Sequence, residues 1–226
     1  VDTSSLLHLI RAIQTNYAQD SYEAGEESDF DEDALQYADF CEWQHDLLDA
    51  DDDEAQKANE FWQAQTASTV APVTLPVEMS SGTGDGDDSA FYPSQQTSLS
   101  RDLEWVARVE SAADGQETSV AVFLLACWQT LLHRYTSESK IRVDCIFDGR
   151  SDEDLEDAIG LFARPIPMVA DFHEGLPFSE ILWSTNQTVH ELTDMMDYAG
   201  DLFSGTDAVE TSGIAFEFSE WDIPAE

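Results

Sequence analysis

The sequence predicts an α/β fold, and three observations carry that prediction. Of the 226 residues, 42% are hydrophobic and 11% are aromatic, which is enough apolar material to bury a core. The first third of the chain places apolar residues at helical spacing. In the second half, helical patterns alternate with short runs rich in β-branched residues. This alternation favours a mixed or parallel sheet with helices packed on it.

The amino-terminal residues predict three helices. Asp2, Thr3 or Ser4 can cap the first helix. The segments Ala34–Leu48 and Glu54–Gln65 carry the helical pattern of the second and third. We expect the first helix to bury one apolar face, which consists of Leu6, Leu7, Ile10, Ile13 and Tyr17.

Two stretches without helical periodicity divide the first half of the chain. The acidic, apolar-poor segment Asp20–Asp33 predicts a loop. Residues 67–93 contain several Pro and Gly among Ser, Thr and Asp, a composition that supports neither a long helix nor a central strand. We therefore predict a helical portion at residues 1–66, a linker at 67–93 and a second portion at 94–226.

The second portion predicts alternating helices and strands. The segment Ser119–Tyr135 is apolar on most of its circumference, so we expect that helix to be central. The other predicted elements are, in chain order, a short strand at Gln95–Leu99, a helix at Asp102–Ala113, a strand at Ile141–Phe147, a short helix at Asp152–Ile159, an extended segment at Pro165–Phe172, a helix at Pro177–Asp197 and a last strand at Gly213–Ser219.

The charge of the chain excludes two classes of function. It has 9 Lys+Arg against 48 Asp+Glu and a formal net charge of −39. Binding to nucleic acid or to an anionic membrane surface needs clustered basic residues, so neither is expected. No run reaches the roughly 18 apolar residues of a membrane span, and we predict a cytoplasmic protein. Because crowded carboxylates repel one another unless salt screens them, we hypothesise a high-salt source.

Motifs for catalysis are scarce when the residues are considered alone. The sequence has no Gly-rich phosphate loop, no H-E-x-x-H and no G-x-S-x-G. His133 is typical of a residue that faces the negative end of a helix. Acidic runs such as Asp51–Asp53 are usually solvated, so no metal site is predicted.

Four stretches resemble the condensation domains of nonribosomal peptide synthetases. Residues 37–44, YADFCEWQ, are similar to that family's Y-x-D-F-x-x-W-Q motif. Residues 123–135 are similar to its long central helix, which also ends in H-R-Y. The turn at residues 148–150 and the I-G-L-F of residues 159–162 resemble its arginine-bearing turn and its I-G-x-F segment. The resemblances follow the family's order and extend to near Phe218.

The resemblance implies a sandwich fold like that of chloramphenicol acetyltransferase, in which two lobes enclose a tunnel. Residues 1–66 would be the helical end of the amino-terminal lobe, and residues 94–226 the carboxy-terminal lobe. Donor and acceptor would each be tethered by the phosphopantetheine arm of a peptidyl or acyl carrier protein, with no cofactor bound directly. Adjacent synthetase domains would be further partners.

The resemblance also implies roles for particular residues. The family signature is H-H-x-x-x-D-G, and Val1-Asp2-Thr3-Ser4 aligns with its end, with Thr3 in place of the Gly. Asp2 would organise the site through a salt bridge with Arg150. Both signature histidines would precede Val1, so we expect the chain alone, without that general base, to condense little or nothing. The substrate tunnel would be lined by Gly160, Phe162 and Arg164.

Two functions are consistent with this resemblance. The first is a condensation-type acyltransferase that passes a carrier-bound acyl or peptidyl thioester to an acceptor amine, forming an amide. The second is a non-catalytic module that docks carrier proteins or neighbouring synthetase domains. Trp128 and Phe162 are more typical of core residues than of substrate contacts. A stand-alone acetyltransferase using coenzyme A is disfavoured, because few basic residues are available to bind its phosphates.

Overall fold

The computed structural model describes residues 1–20, 35–67, 70–76, 95–150, 152–199 and 213–220. Within these ranges the α-helices are α1 Thr3–Asp20, α2 Tyr37–Leu48, α3 Asp53–Ala67, α4 Leu103–Asp114, α5 Val120–Thr136 and α6 Phe178–Asp194. The strands are β1 Lys140–Phe147, β2 Arg164–Asp171 and β3 Ala215–Glu217. Short 3₁₀ turns occupy Glu153–Leu155 and Met196–Ala199. The α/β class predicted from the sequence is confirmed.

The three strands form one sheet in the order β2-β1-β3. The backbone N–H of Phe172, just after β2, donates to the carbonyl of Ser139, just before β1, over 2.6 Å. A bond between the end of one strand and the start of its neighbour means that the two run antiparallel. Of the two predicted arrangements, this excludes a purely parallel sheet.

Two compact units are built from separate stretches of the chain. Unit 1 consists of Val1–Thr69, Cys145–Ile166 and Glu191–Glu210, and unit 2 of Val70–Asp144, Pro167–His190 and Thr211–Glu226. The core of unit 1 contains a cluster of Phe40, Leu155, Ala158 and Phe162, with Tyr37 packed against it. Each unit therefore depends on residues that lie far apart in sequence.

Side-chain caps fix the beginnings of the helices in unit 2. The Asp102 carboxylate accepts the N–H of Trp105 over 2.9 Å, and the Ser119 hydroxyl accepts the N–H of Val122 over 3.2 Å. The helix α5 buries one row of side chains, namely Val122, Leu125, Ala126, Gln129 and Leu132, while Leu131 and Tyr135 are more than half exposed. Its central position stays a prediction. The Oε1 of the buried Gln129 accepts the hydroxyl of Thr185 on α6 over 3.0 Å.

Two short predicted elements are wrong. Residues 95–99 do not form a strand. Their side chains are exposed, and the largest of them, Leu99, is 75% exposed. The short helix predicted at Asp152–Ile159 is a single 3₁₀ turn. The Asp152 carboxylate accepts the N–H of Asp154, and Arg150 takes up the carbonyl of Ala158, so these local bonds replace a helical ladder.

The prediction that α1 buries its apolar face is also wrong. Leu6 and Ile10 are each 50% exposed and Ile13 is 59% exposed. What α1 buries is its polar first turn, where Asp2 and Ser5 are 8% and 0% exposed. Helical periodicity identified the apolar face correctly, but it carries no information about what, if anything, covers that face.

Parts of two predicted segments lie outside the described residues. Residues 21–34 contain nearly all of the predicted loop at Asp20–Asp33, and residues 68–69 and 77–94 contain most of the predicted linker at 67–93. Among the helices of the described ranges, none combines the length and the hydropathy needed to cross a membrane.

Candidate functional site

The Asp2 carboxylate lies at the centre of a dense set of hydrogen bonds in unit 1. As the residue before α1, Asp2 caps the helix by accepting the N–H of Ser5 over 2.9 Å. Its other oxygen accepts the backbone N–H groups of Phe162 and Ala163 over 2.9 and 3.0 Å. The backbone N–H of Asp2 donates to the carbonyl of Gly160 over 3.2 Å. The first turn of α1 is thereby fixed to residues 160–163.

Arg150 pairs with this carboxylate through both ends of its guanidinium group. Nη2 lies 3.1 Å from Oδ1 of Asp2, and Nη1 lies 3.3 Å from Oδ2. Both side chains are 4% exposed, so the pair is almost completely withdrawn from water. A planar fork on a carboxylate fixes orientation as well as charge, which a lysine could not reproduce. The structure thus brings together the two residues to which the resemblance gave a catalytic-site role.

The same two nitrogens of Arg150 also hold the neighbouring segments. Nη2 also donates to the hydroxyl of Ser5 over 2.9 Å and to the carbonyl of Ala158 over 3.1 Å. Nη1 also pairs with the partly exposed Asp148. The Ser5 hydroxyl in turn donates to the carbonyl of Gly160 over 2.8 Å. Arg150 therefore contacts three segments at once: the first turn of α1, the turn that contains Asp148 and the loop that contains Ala158.

Aromatic packing supports the guanidinium from one face. The Cζ of Arg150 lies 4.4 Å from the ring centroid of Phe162, which is fully buried. The ring of Phe162 packs edge-on against Tyr37 with centroids 5.1 Å apart. Gly160 is required there, because a Cβ at that position would meet the rings of Tyr37 and Phe162. Phe162 thus belongs to the core of unit 1, and the tunnel assignment of Gly160 and Phe162 stays a prediction.

Arg164, the third residue assigned to the tunnel, belongs to a separate polar contact. Its Nη2 donates to Oε1 of Gln44 over 2.6 Å, and Nε2 of Gln44 donates to the carbonyl of Asp197 over 3.0 Å. Gln44 is the last residue of the Y-x-D-F-x-x-W-Q-like stretch on α2. The contact connects α2 to β2 and to the 3₁₀ turn at Met196–Ala199, and the role of Arg164 at a tunnel stays a prediction.

The surroundings of Asp2 hold the pKa of its carboxyl well below the usual range. Burial by itself raises this pKa, but the hydrogen bonds from Arg150, Ser5 and Ala163 together lower it further than burial raises it. The carboxylate is consequently ionised at neutral pH. Asp2 is suited to orienting its neighbours as an acceptor, and not to donating a proton.

The lowered pKa of Asp2 predicts a pH dependence of stability. Its contribution to the free energy of unfolding is complete above its unfolded pKa, about 3.9, and is lost as the pH falls from there toward the folded pKa. We expect the difference in unfolding free energy between the natural protein and Asp2→Asn to be constant from pH 7 to about pH 5 and to shrink below about pH 4. Urea unfolding at several pH values measures it; a difference that stays the same down to pH 3 would contradict the prediction.

Three residues of this region were missed by sequence reasoning. Ser5 bridges Arg150 and Gly160, Asp148 pairs with Arg150, and Gln44 binds Arg164. Ser5 follows the capping Asp2 by three residues, a spacing at which its N–H meets the cap. Asp148 lies in the D-G-R turn that carries Arg150. The sequence therefore contains the local spacings, but it does not show which distant residues these side chains contact.

Known proteins share sequence features with most of this chain. The family model described as "Condensation domain" matches residues 1–204. Gramicidin S synthase 2 from Aneurinibacillus migulanus is 28% identical over 167 residues, which cover 73% of this chain and 4% of that protein. Bacitracin synthase 3 from Bacillus licheniformis is 28% identical over 170 residues, which cover 74% of this chain and 2% of that protein. This chain therefore corresponds to a small part of each of these curated relatives.

Solved structures share the fold of this chain. The first condensation domain of the calcium-dependent antibiotic synthetase, in complex with substrate analogue 2a, is similar with a TM-score of 0.71 and 18% identity. The match covers 96% of this chain and 47% of that one. The X-domain from teicoplanin biosynthesis, solved as a complex with OxyB, is similar with a TM-score of 0.61 and 22% identity, covering 92% of this chain and 46% of that one. The chain thus spans about half the length of these two neighbours.

Proposed function

Because the chain belongs to the condensation-domain family, we propose that it forms part of a domain that transfers a carrier-bound acyl or peptidyl thioester to an acceptor amine. The nitrogen of the acceptor attacks the thioester carbon, a C–N bond forms and the C–S bond breaks. The amine loses a proton, and the donor carrier leaves with a free thiol on its phosphopantetheine arm. The proposed reaction uses no cofactor beyond the two phosphopantetheine arms. We propose that it takes place in the cytoplasm.

The observation that carries this proposal is the buried Asp2–Arg150 pair. It fixes the first turn of α1, which follows the position of the family's histidine signature, to the I-G-L-F loop at 159–162. Burying a pair of opposite charges that is 4% exposed costs desolvation energy. The bidentate geometry offsets that cost and holds the first turn of α1 and the I-G-L-F loop in one arrangement. We assign Asp2 and Arg150 as positioning residues and keep Gly160, Phe162 and Arg164 as proposed neighbours of the tunnel.

The test uses the natural protein that contains this chain, with one carrier loaded with an acyl group and another with an amino acid. Sequencing the gene upstream of Val1 first establishes whether a His-His pair precedes Asp2. Mass spectrometry of the acceptor carrier then measures amide formation. We expect product, and we expect Arg150→Lys to lower kcat by about 100-fold, as misplacement by about 1 Å can do. The matched control Asp148→Asn should remain within about twofold, because the Asp148 side chain is 55% exposed and water screens its pairing with Arg150.

A non-catalytic docking module is the second candidate function. Its support is the similarity to the X-domain, a neighbour that was solved in a complex with OxyB. The transfer function is favoured if the natural protein forms the amide and Arg150→Lys does not. Circular dichroism must show that both proteins are folded to the same extent. Absence of product from a protein that binds loaded carriers in a pull-down favours docking and contradicts the transfer proposal.

The proposed high-salt habitat predicts a particular salt response. A net charge of −39 repels itself over a Debye length of about 10 Å at 0.1 M salt, which falls to about 3 Å at 1 M. We expect the thermal unfolding midpoint to rise steeply between about 0.1 and 1 M potassium chloride and then to level off. A rise that is linear up to about 3 M would indicate exclusion of salt from the surface instead of screening. A flat response would contradict the hypothesis.

A further inference from the structure

Unit 2 contains a cavity of about 550 Å³. It lies between the carboxyl-terminal end of α5, the turn that leads into β1, and the segment from the end of β2 to the start of α6. This volume falls within the range of small-molecule sites in proteins, roughly 300–1,000 Å³. None of the residues that line it takes part in the Asp2–Arg150 site, which belongs to unit 1.

The lining of this cavity is less acidic than the chain as a whole. Three of its twelve lining residues are basic, namely His133, Arg134 and His173, and one, Glu174, is acidic. The whole sequence has 9 Lys+Arg and 5 His against 48 Asp+Glu. Random placement would therefore give an acidic lining. With both histidines neutral the lining has no net charge, because Arg134 balances Glu174, and it becomes positive when either histidine takes up a proton. Such a lining admits an anionic ligand that the acidic remainder of the surface would repel.

The ring of His133 is fixed in place at the wall of the cavity. It stacks on Phe172 with centroids 4.3 Å apart and planes 4° from parallel. Its Nδ1 lies 2.7 Å from the carbonyl of Glu138, and because a carbonyl only accepts, Nδ1 carries the proton. The backbone N–H of Phe172 is itself bonded to the carbonyl of Ser139. The second ring nitrogen, Nε2, is therefore the one that a ligand can use.

The opposite wall contributes a helix end and apolar side chains. The 17-residue helix α6 begins at Phe178, which lines the cavity, and the amino-terminal end of a helix favours negative charge. Leu176, Phe178 and Ile181 add apolar surface, together with the stacked Phe172. The cavity thus combines donors for an anion with a surface for an apolar group.

We propose that this cavity binds a small organic anion, in which a carboxylate or phosphate group is carried on an apolar body. Arg134 and His173 contact the oxyanion, and His133 donates to it from Nε2 when that nitrogen also carries a proton. The apolar body packs against Phe172 and Phe178. This site is separate from the Asp2–Arg150 pair, and the proposal does not depend on the transfer reaction.

The test measures binding to the whole chain by isothermal titration calorimetry at one fixed salt concentration. The probes are benzoate and phenyl phosphate, which separate carboxylate from phosphate, with benzyl alcohol as the uncharged analogue. We expect at least one anion to bind and benzyl alcohol not to bind. Arg134→Gln and His173→Gln should each raise the Kd, about tenfold for Arg134→Gln because one charge-assisted hydrogen bond is lost. Glu174→Gln should lower the Kd, because a repelling carboxylate is removed.

The matched control is Arg108→Gln, which removes the same charge from the exposed surface of α4. Its Kd should remain within about twofold of the natural protein, because surface charges act weakly at a distance in salt. Three results would overturn the proposal: no binding of either anion, equal binding of benzyl alcohol, or an equal loss of affinity in Arg108→Gln and Arg134→Gln. In the first case the basic residues would serve only to offset the negative end of α5.

Discussion

Asp2→Asn should lower the free energy of unfolding by about 3–5 kcal/mol, because it leaves the Arg150 guanidinium buried without its main counter-charge. Asparagine keeps the shape of the side chain, yet it replaces one accepting oxygen with an N–H₂ group. That group would face donors, either Arg150 and the N–H of Ser5 or the N–H groups of Phe162 and Ala163. Urea unfolding followed by circular dichroism at pH 7 measures the loss.

The matched control for Asp2→Asn is Asp148→Asn, which removes the other carboxylate that contacts Arg150. The Asp148 side chain is 55% exposed, so its pairing is screened by water and should contribute about 0–1 kcal/mol. If Asp2→Asn unfolds the protein, the double variant Asp2→Asn/Arg150→Met should restore part of the stability, since it removes the unpaired charge as well. Equal losses from Asp2→Asn and Asp148→Asn would contradict the central position of Asp2.

Gly149→Ala should destabilise the protein by about 2–5 kcal/mol, the sum of two separate costs. The φ angle of Gly149 is +74°, a left-handed conformation that costs an alanine about 1–2 kcal/mol. In addition, the new Cβ would meet the backbone carbonyl of Phe162, which cannot move aside as a flexible side chain can. The resulting shift would displace Arg150 next to it, so the proposed transfer activity should fall together with stability.

Gly213→Ala separates these two costs experimentally. Gly213 has the same φ of +74°, and a Cβ added to it would meet none of the described residues within 4 Å. It should therefore lose only the conformational part, about 1–2 kcal/mol. Thermal or urea unfolding of both variants gives the comparison. A loss in Gly213→Ala as large as that in Gly149→Ala would show that the contact with Phe162 contributes nothing.

Local features of the fold were predictable from the sequence because their causes are local. The helices predicted to start at Asp102 and Ser119 begin at those residues in the structure, where both side chains serve as caps. The strand β1 is found within one residue of its predicted bounds, since β-branched residues flanked by a turn form a short-range signal. Phe162 was expected to be a core residue more than a substrate contact, and its side chain is fully buried.

Features that depend on distant partners could not be derived in this way. The Asp2–Arg150 pair joins residues 148 positions apart, and no local pattern indicates such a contact; only the resemblance to a family suggested it. The exposure of the apolar face of α1 could not be predicted for the same reason, because periodicity shows which residues share a face and not what packs against it. The bond between Arg164 and Gln44 was missed too, since 120 residues separate them and neither carries a spacing signal.

The separation between Asp2 and Arg150 also governs when unit 1 can form during synthesis. Ribosomes add about 5–20 residues per second, so α1 emerges on the order of ten seconds before the loop at 158–163 that holds its first turn. During that interval the first turn of α1 has no partner from this loop. Leu6, Ile10 and Ile13, which are exposed in the folded chain as well, add apolar surface through which nascent chains tend to associate. The high negative charge of the intervening chain opposes that association by repulsion between neighbouring nascent chains. We therefore expect the acidity of the sequence to reduce association between nascent chains before unit 1 has formed.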